Sequence, residues 1–185
     1  MLVFLYIVLG ILVVTGGWQL AVWQIETQDK NRKYRCASDF ACKVNKPLLV
    51  VGGPWGNKKF RRWLNKPAHG YGDVCIDIDR KAIRGHQYGV IASVTHLPFS
   101  DKTFGAAFAS HLLEHLPTTG DAKKALDELN RVAEAVFIVY PSRQSIAGWL
   151  ISDHHLWVWQ KDGKTYLKQR GGVGIKEEYH CSISG

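Results

Sequence analysis

Residues 97–116, Leu-Pro-Phe-Ser-Asp-Lys-Thr-Phe-Gly-Ala-Ala-Phe-Ala-Ser-His-Leu-Leu-Glu-His-Leu, constrain the fold of this chain more than any other stretch. They read as a tight turn, a short buried strand over Phe104–Ser110 and a loop that ends in a helix start. Two strand-like runs lie upstream. Leu48-Leu49-Val50-Val51 is continuously apolar, as expected of a central parallel strand covered on both faces, and it breaks at Gly52-Gly53-Pro54-Trp55-Gly56. Asp73–Asp79 is the second run and ends in acids. Strands with small, acidic or polar residues at their C-terminal ends describe one edge of an open α/β sheet. Loops and helix N-termini converge on ligands at that edge.

The rest of the domain fits the same pattern. Asn57–Asn65 can form a helix with Phe60, Trp63 and Leu64 on one side, and Lys58, Lys59, Arg61 and Arg62 crowd its start. Only ten residues separate Asp79 from Val90, so a crossover helix there is a turn or two, or absent. Val90–Val94 and Val136–Tyr140 read as further strands. Between them Ala122, Ala125, Leu126, Leu129, Val132 and Ala133 recur at helical spacing, behind a cap at Thr118, Thr119 or Asp121. Ser142–Ile151 reads as a short helix. Leu156–Gln160 and Thr165–Arg170 flank Lys161-Asp162-Gly163-Lys164, a strong hairpin signal that suits an antiparallel edge closing the sheet. Residues 172–185 read as a tail. The whole is an α/β, Rossmann-like, doubly wound and mostly parallel sheet over residues 48–171, with a C-terminal β-hairpin.

A separate feature precedes it. Residues 1–25 carry no charged side chain, and as a helix rising ~1.5 Å per residue they are long enough to cross a hydrocarbon core of roughly 30 Å. Trp18 and Trp23 suit an interfacial aromatic belt. A cleaved signal peptide is the competing reading, but it calls for a basic start and a shorter apolar stretch. Lys30, Arg32, Lys33, Arg35, Lys43 and Lys46 follow the span and none precedes it, which places the globular domain on the cytoplasmic side of the cell membrane. Residues 26–47 read as a basic juxtamembrane linker able to rest on anionic headgroups. The formal net charge of +8 indicates an acidic partner or surface, and a merely solvated excess of Lys and Arg fits it as well. Cys36, Cys42, Cys75 and Cys181 show no paired metal spacing and read as reduced thiols. A Cys36–Cys42 bridge stays open if that segment faces an oxidising compartment.

Glycine turn, acidic strand end, Leu97-Pro98-Phe99, Asp101, Phe104 and Leu113-Glu114-His115-Leu116 together resemble the class I S-adenosylmethionine-dependent methyltransferases, in particular those with a methyltransferase type 11-like core. The resemblance runs from about Leu48 to Pro141. It implies S-adenosylmethionine as cofactor, with Gly52, Gly53 and Gly56 near its amino-acid end. Asp77 is placed at the ribose hydroxyls, for which an ionised carboxylate has two suitable acceptor oxygens. Asp77 as a loop acid capping a turn is the plainer reading. Ile78, Ser93, Val94 and Ser110 complete the implied cofactor site, Val94 through its backbone N–H. His111 is the candidate base for an acceptor that must lose a proton, against the plainer role of a packed or capping residue. Glu114 and His115 read as bracing a helix start. The pair His154-His155 beside Trp157 and Trp159 reads as a packed hairpin face or as the rim of a substrate entrance. No cluster shows metal-ligand spacing.

The chain departs from the family pattern at four places. Pro54 replaces the central glycine, Val50 an acid often found before the turn, Ser93 an acid at the adenine, and Gly105 an Asp after Phe104. Two functions follow. One is a membrane-anchored methyltransferase acting on a membrane-associated or small-molecule acceptor. The other is a methyltransferase-like domain without catalysis, an accessory or structural subunit of a membrane protein complex. Nucleic acid is not expected as a partner, because no recognition module accompanies the charge.

Overall fold

A computed structural model of the chain describes residues 1–54, 70–171 and 177–180. The expected helix over Asn57–Asn65, with its basic residues, lies outside them, as do Trp55 and Gly56. The apolar N-terminus and the segment expected as a linker form one helix, α1 (Leu2–Lys43). The strands β1 (Leu48–Val51), β2 (Val74–Asp77), β3 (Gly89–Ile91), β4 (Phe104–Ser110) and β5 (Ala133–Val139) make one sheet in the order β3-β2-β1-β4-β5. All four pairings are parallel. The order reverses between β1 and β4, which is where open sheets of this type leave a crevice.

All four residues of β1 and all seven of β4 are buried, matching their continuous apolar character. Alternate residues serve opposite faces. Leu49, Val51, Ala107 and Ala109 pack with Leu126, Leu129 and Val132 of α2 (Thr119–Val132). Leu48, Val50, Ala106 and Phe108 pack with Ala37 and Ala41 of α1, with Tyr34 and Phe40 against them. The second half of α1 is therefore a layer of the domain rather than a linker. The continuous helix explains Gly105. A Cβ built there would lie 2.7 Å from Val44 Cγ2 and 2.8 Å from Ala41 Cα, so the family's Asp has no room beneath α1.

Thr118 caps α2, its Oγ1 accepting from the Asp121 N–H at 3.1 Å and donating to Asp121 Oδ2 at 2.7 Å. The helix runs straight into β5, which begins three residues earlier than the sequence suggests. Near its end Arg131 donates to the carbonyls of Leu97 and Phe99 and to Asp101, while Glu128 accepts from the Leu97 N–H at 2.7 Å. One guanidinium thus ties the Leu97-Pro98-Phe99 turn and Asp101 to α2. The connection from β2 to β3 has no helix, and β3 ends at Ile91 instead of Val94 because Ser93 and Thr95 form a turn there.

A five-residue helix, α3 (Ile146–Leu150), precedes the hairpin of β6 (Leu156–Lys161) and β7 (Lys164–Gln169). Asp162 and Gly163 hold positive φ of 52° and 73° in a two-residue turn. The hairpin does not extend the parallel sheet. It forms a separate antiparallel sheet with β8 (Glu177–His180), a strand inside the segment expected as a tail. Leu156, Val158 and Leu167 bury themselves in the core on the α2 side, so the small sheet acts as a cover.

Among the described residues α1 is the one helix long and apolar enough to cross a membrane, and its most apolar window is wholly exposed. From residue 19 onward it engages the domain along one stripe. Glu26 accepts from the Ser142 N–H at 2.6 Å and Lys33 donates to the Ile138 carbonyl at 3.0 Å. Lys46 pairs with Glu134 of β5 at 2.7 Å on the surface. Part of the basic cluster thus serves the fold.

Candidate functional site

The C-terminal ends of β1 and β2 and the loop after β3 enclose a cleft of about 90 Å³. Gly52, Asp77, Ile78, Ser93 and Val94 line it, together with Leu112 and Leu116 from beyond β4. Five of the nine residues that the sequence singles out as a site are brought to one place. Gly53, Ser110 and His111 do not line the cleft, and Gly56 lies outside the described residues.

Asp77 ends β2 half-buried, and its Oδ1 accepts from the Asp79 N–H at 2.7 Å. Burial pushes its carboxyl above the ordinary range, against the opposing pull of that N–H. Ile78 is 76% exposed at the lip, where an apolar side chain can lie against a flat ring. Gly52 and Gly53 have φ of 93° and 63°, a conformation that favours glycine. Their N–H groups both donate to the Ile76 carbonyl, at 3.0 and 3.1 Å, which ties the turn to β2. Both amides are thus engaged within the fold. At Gly53 a Cβ would fall 2.7 Å from Ala82 Cβ, so close packing of the turn requires glycine. The Ser93 hydroxyl lies 2.8 Å from Thr95 Oγ1 and also accepts from the Thr95 N–H. Val94 is buried beside it.

Beyond β4 a second cluster forms. His111 holds a positive φ of 52° and donates its N–H to the Val139 carbonyl. Such a conformation is uncommon outside glycine and is held by its surroundings. Its Nδ1 lies 3.2 Å from Glu114 Oε1, and Glu114 is 1% exposed. Neither Glu114 oxygen has a hydrogen bond of full geometry among the described residues, and the imidazole that faces it at ion-pair distance is that of His111. His115 and His154 meet edge to face at 4.7 Å. Donor atoms of Glu114, His115 and His154 lie within 4.8 Å of one another, a metal-ligand type of grouping that linear spacing did not show. His115 and His154 each turn Nδ1 to a backbone carbonyl, of Asp153 at 3.1 Å and Gly148 at 3.2 Å. The His155 N–H donates to the Glu114 carbonyl at 2.7 Å. Burial holds the His154 imidazole below its ordinary range. The cluster braces the short turn of Leu113–His115 against the segment after α3.

A wider groove of about 680 Å³ runs along the β2–β3 connection past Arg80, Lys81, Arg84 and His86, and it contains none of the expected site residues.

Residues 54–135, under half of the chain, match the family model for the type 11 methyltransferase domain. No curated protein sequence matches the chain. Among solved structures, the PH0226 protein from Pyrococcus horikoshii OT3 is similar, with 14% identity, a TM-score of 0.41, and coverage of 77% of this chain and 71% of that one. The 1,6-didemethyltoxoflavin-N1-methyltransferase of Burkholderia thailandensis, solved with 1,6-didemethyltoxoflavin and S-adenosylhomocysteine, is similar at 9% identity and a TM-score of 0.37. That match covers 85% of this chain and 64% of that one. Over residues 54–135 the chain is similar to the type 11 methyltransferase domain, and that segment contributes to the parallel five-stranded sheet and its acidic strand end.

Proposed function

We propose that the chain is a membrane-anchored S-adenosylmethionine-dependent methyltransferase. The observation that carries this reading is Asp77, a half-buried carboxylate at the end of β2, sharing one cleft with the Gly52 turn and with Ser93 and Val94. An ionised aspartate in that position suits a vicinal diol. Ile78 and Leu116 offer apolar cover to a purine, and the Val94 backbone offers an N–H. Gly53 and Ser110 belong to the same edge of the sheet, and together with Gly56 they complete the proposed site. S-adenosylmethionine brings a methyl group already activated as a sulfonium, so the chain's task is alignment and exclusion of water. His111, oriented by buried Glu114, is the proposed base where an acceptor must lose a proton.

The exposed apolar half of α1 supports the anchor, and Lys30, Arg32, Lys33 and Arg35 just after it support a cytoplasmic domain at the cell membrane. Tethering raises effective concentration at the bilayer, which favours a membrane-associated acceptor.

A second reading has its own observations. The described cleft holds only about 90 Å³, and the first two amides of the glycine turn are engaged by Ile76. Both suit a methyltransferase-like accessory subunit of a membrane complex. Calorimetry with S-adenosylmethionine on the full chain in detergent separates the two. Micromolar binding that disappears in Asp77→Ala supports the enzyme. No heat at millimolar ligand, with co-purification in a stable complex, supports the subunit.

A further inference from the structure

α3 and the residue after it leave four large apolar side chains in the open. Ile146, Trp149, Leu150 and Ile151 are all exposed, Leu150 at 78%. Their backbone is nevertheless held firmly. Arg170 donates to the carbonyls of Trp149 at 2.6 Å, Ile151 at 3.0 Å and Gly148 at 3.2 Å, satisfying the end of the short helix. Trp149 Nε1 donates to the Arg143 carbonyl at 2.7 Å, and its ring packs 4.5 Å from that of Trp157. A fixed frame that presents a contiguous apolar patch to the outside marks an interaction surface.

The neighbouring element says what covers it. Gln19 of α1 donates to the Gln144 carbonyl at 3.1 Å and accepts from the Ile146 N–H at 2.9 Å. These two bonds fix α3 beside the level at which α1 meets the domain. The helix before Gln19 is exposed, uncharged and about 26 Å long at ~1.5 Å per residue, close to the roughly 30 Å hydrocarbon thickness of a bilayer. Trp18 and Trp23 are exposed on either side of that level, where indole rings favour the membrane interface. Trp149 joins them.

We propose that the exposed face of α3, with Ile151, rests in the headgroup–acyl boundary of the bilayer that α1 enters, and holds the strand-end edge of the domain against the membrane. This rests on the reading of α1 as a membrane anchor. α3 follows the C-terminal end of β5, on the same edge as Gly52 and Asp77. The chain after Ile151 leads to His154, which packs by His115 and Glu114, and Glu114 touches His111. An amphiphile with its nucleophile at headgroup depth would meet the His111 side of the site without leaving the bilayer.

Site-directed fluorescence in liposomes tests this. The full chain is reconstituted in vesicles of phosphatidylcholine and phosphatidylglycerol carrying a nitroxide either near the headgroup or at the acyl centre. In a Cys36→Ser, Cys42→Ser, Cys181→Ser background, an environment-sensitive label is placed by Leu150→Cys, by Ile146→Cys as a second site, or by Val13→Cys. In a separate Cys36→Ser, Cys181→Ser variant, a label on the retained Cys42, about 35 Å along α1 from Gln19, serves as the distant site. The expected result is loss of emission at 150 and 146 with the shallow nitroxide, loss at 13 with the deep one, and none at 42. Quenching at 13 without quenching at 150 or 146 overturns the patch and leaves the anchor standing. Labels at 150 shielded from a water-soluble quencher yet untouched by either nitroxide point to a protein partner and also overturn it. An unquenched label at 13 removes the anchor and the patch together.

Discussion

Replacing Gly105 by alanine adds a single methyl group at the seam between α1 and the sheet. The new Cβ would lie 2.7 Å from Val44 Cγ2, 2.8 Å from Ala41 Cα and 3.2 Å from Lys46 Cβ. Val44 sits at the surface and can turn away. Ala41 Cα is backbone, so α1 itself must retreat by about 0.7 Å to restore an ordinary carbon contact of ~3.5 Å. A gap of that size forfeits roughly a quarter to a half of each dispersion contact along the seam, where Ala37, Ala41, Val50, Ala106 and Phe108 pack. Overpacking of this kind costs about 1–3 kcal/mol. Reduced freedom of the unfolded chain returns about 0.4–1 kcal/mol. The net loss is centred on about 1.3 kcal/mol, or roughly 0.7 M in urea midpoint for a slope of ~2 kcal/mol/M. Tryptophan fluorescence of the full chain in detergent reads it. Gly120→Ala, whose Cβ meets only Thr118 Oγ1 at 3.6 Å, should stabilise by about 0.5 kcal/mol and so raise the midpoint by roughly 0.25 M. A Gly105→Ala midpoint at or above the wild-type value would show that α1 does not lie on β4, and the packing argument would fall.

Removing residues 1–18 should leave a folded domain, whereas removing residues 1–44 should yield aggregates, because it strips Tyr34, Ala37 and Ala41 from one sheet face; size-exclusion chromatography distinguishes them. Asp77 has its carboxyl raised by burial, so its ionised form is disfavoured by folding, and stability declines as pH rises through that raised value. Asp77→Asn should therefore melt at or above the wild-type temperature while binding S-adenosylhomocysteine less tightly, and wild-type binding should weaken on acidification from above the ordinary aspartate range. The Cys75 thiol, buried in β2 and pushed up to about 11, should escape maleimide at neutral pH while exposed Cys36 and Cys42 are modified, as peptide mapping after labelling would record.

The parallel core was legible because its cues are local. Continuous apolar runs at Leu48–Val51 and Phe104–Ser110, the 3.6-residue period of α2 and the Asp162-Gly163 turn each carry their own signal. The cleft followed from topology, since Asp77, Ser93 and Gly52 all end or follow adjacent strands. What the sequence concealed depends on contacts distant along the chain. Residues 26–43 look like a charged linker, because only short Ala37 and Ala41 and the aromatic rings of Tyr34 and Phe40 mark the face that packs, and their spacing is diluted by seven Lys, Arg and Asp residues. Gly105 reads as a lost acid until α1 is seen above it. The Glu114–His115–His154 grouping joins residues some forty positions apart, so no linear spacing announces it. β8 lies where Gly and charged residues dominate, and it is ordered by pairing with β7 rather than by its own propensity.

The central claim is that one carboxylate at the end of β2 grips a ribose. The most direct measurement compares the affinities of S-adenosylhomocysteine and its 2′,3′-dideoxy analogue for the full chain and for Asp77→Asn. The account predicts that wild type prefers the hydroxylated ligand by about 10²-fold, for hydrogen bonds to a charged group of about 1.5–3 kcal/mol each, and that Asp77→Asn loses most of this preference. Equal affinity of wild type for the two ligands, or an undiminished preference in Asp77→Asn, would contradict it.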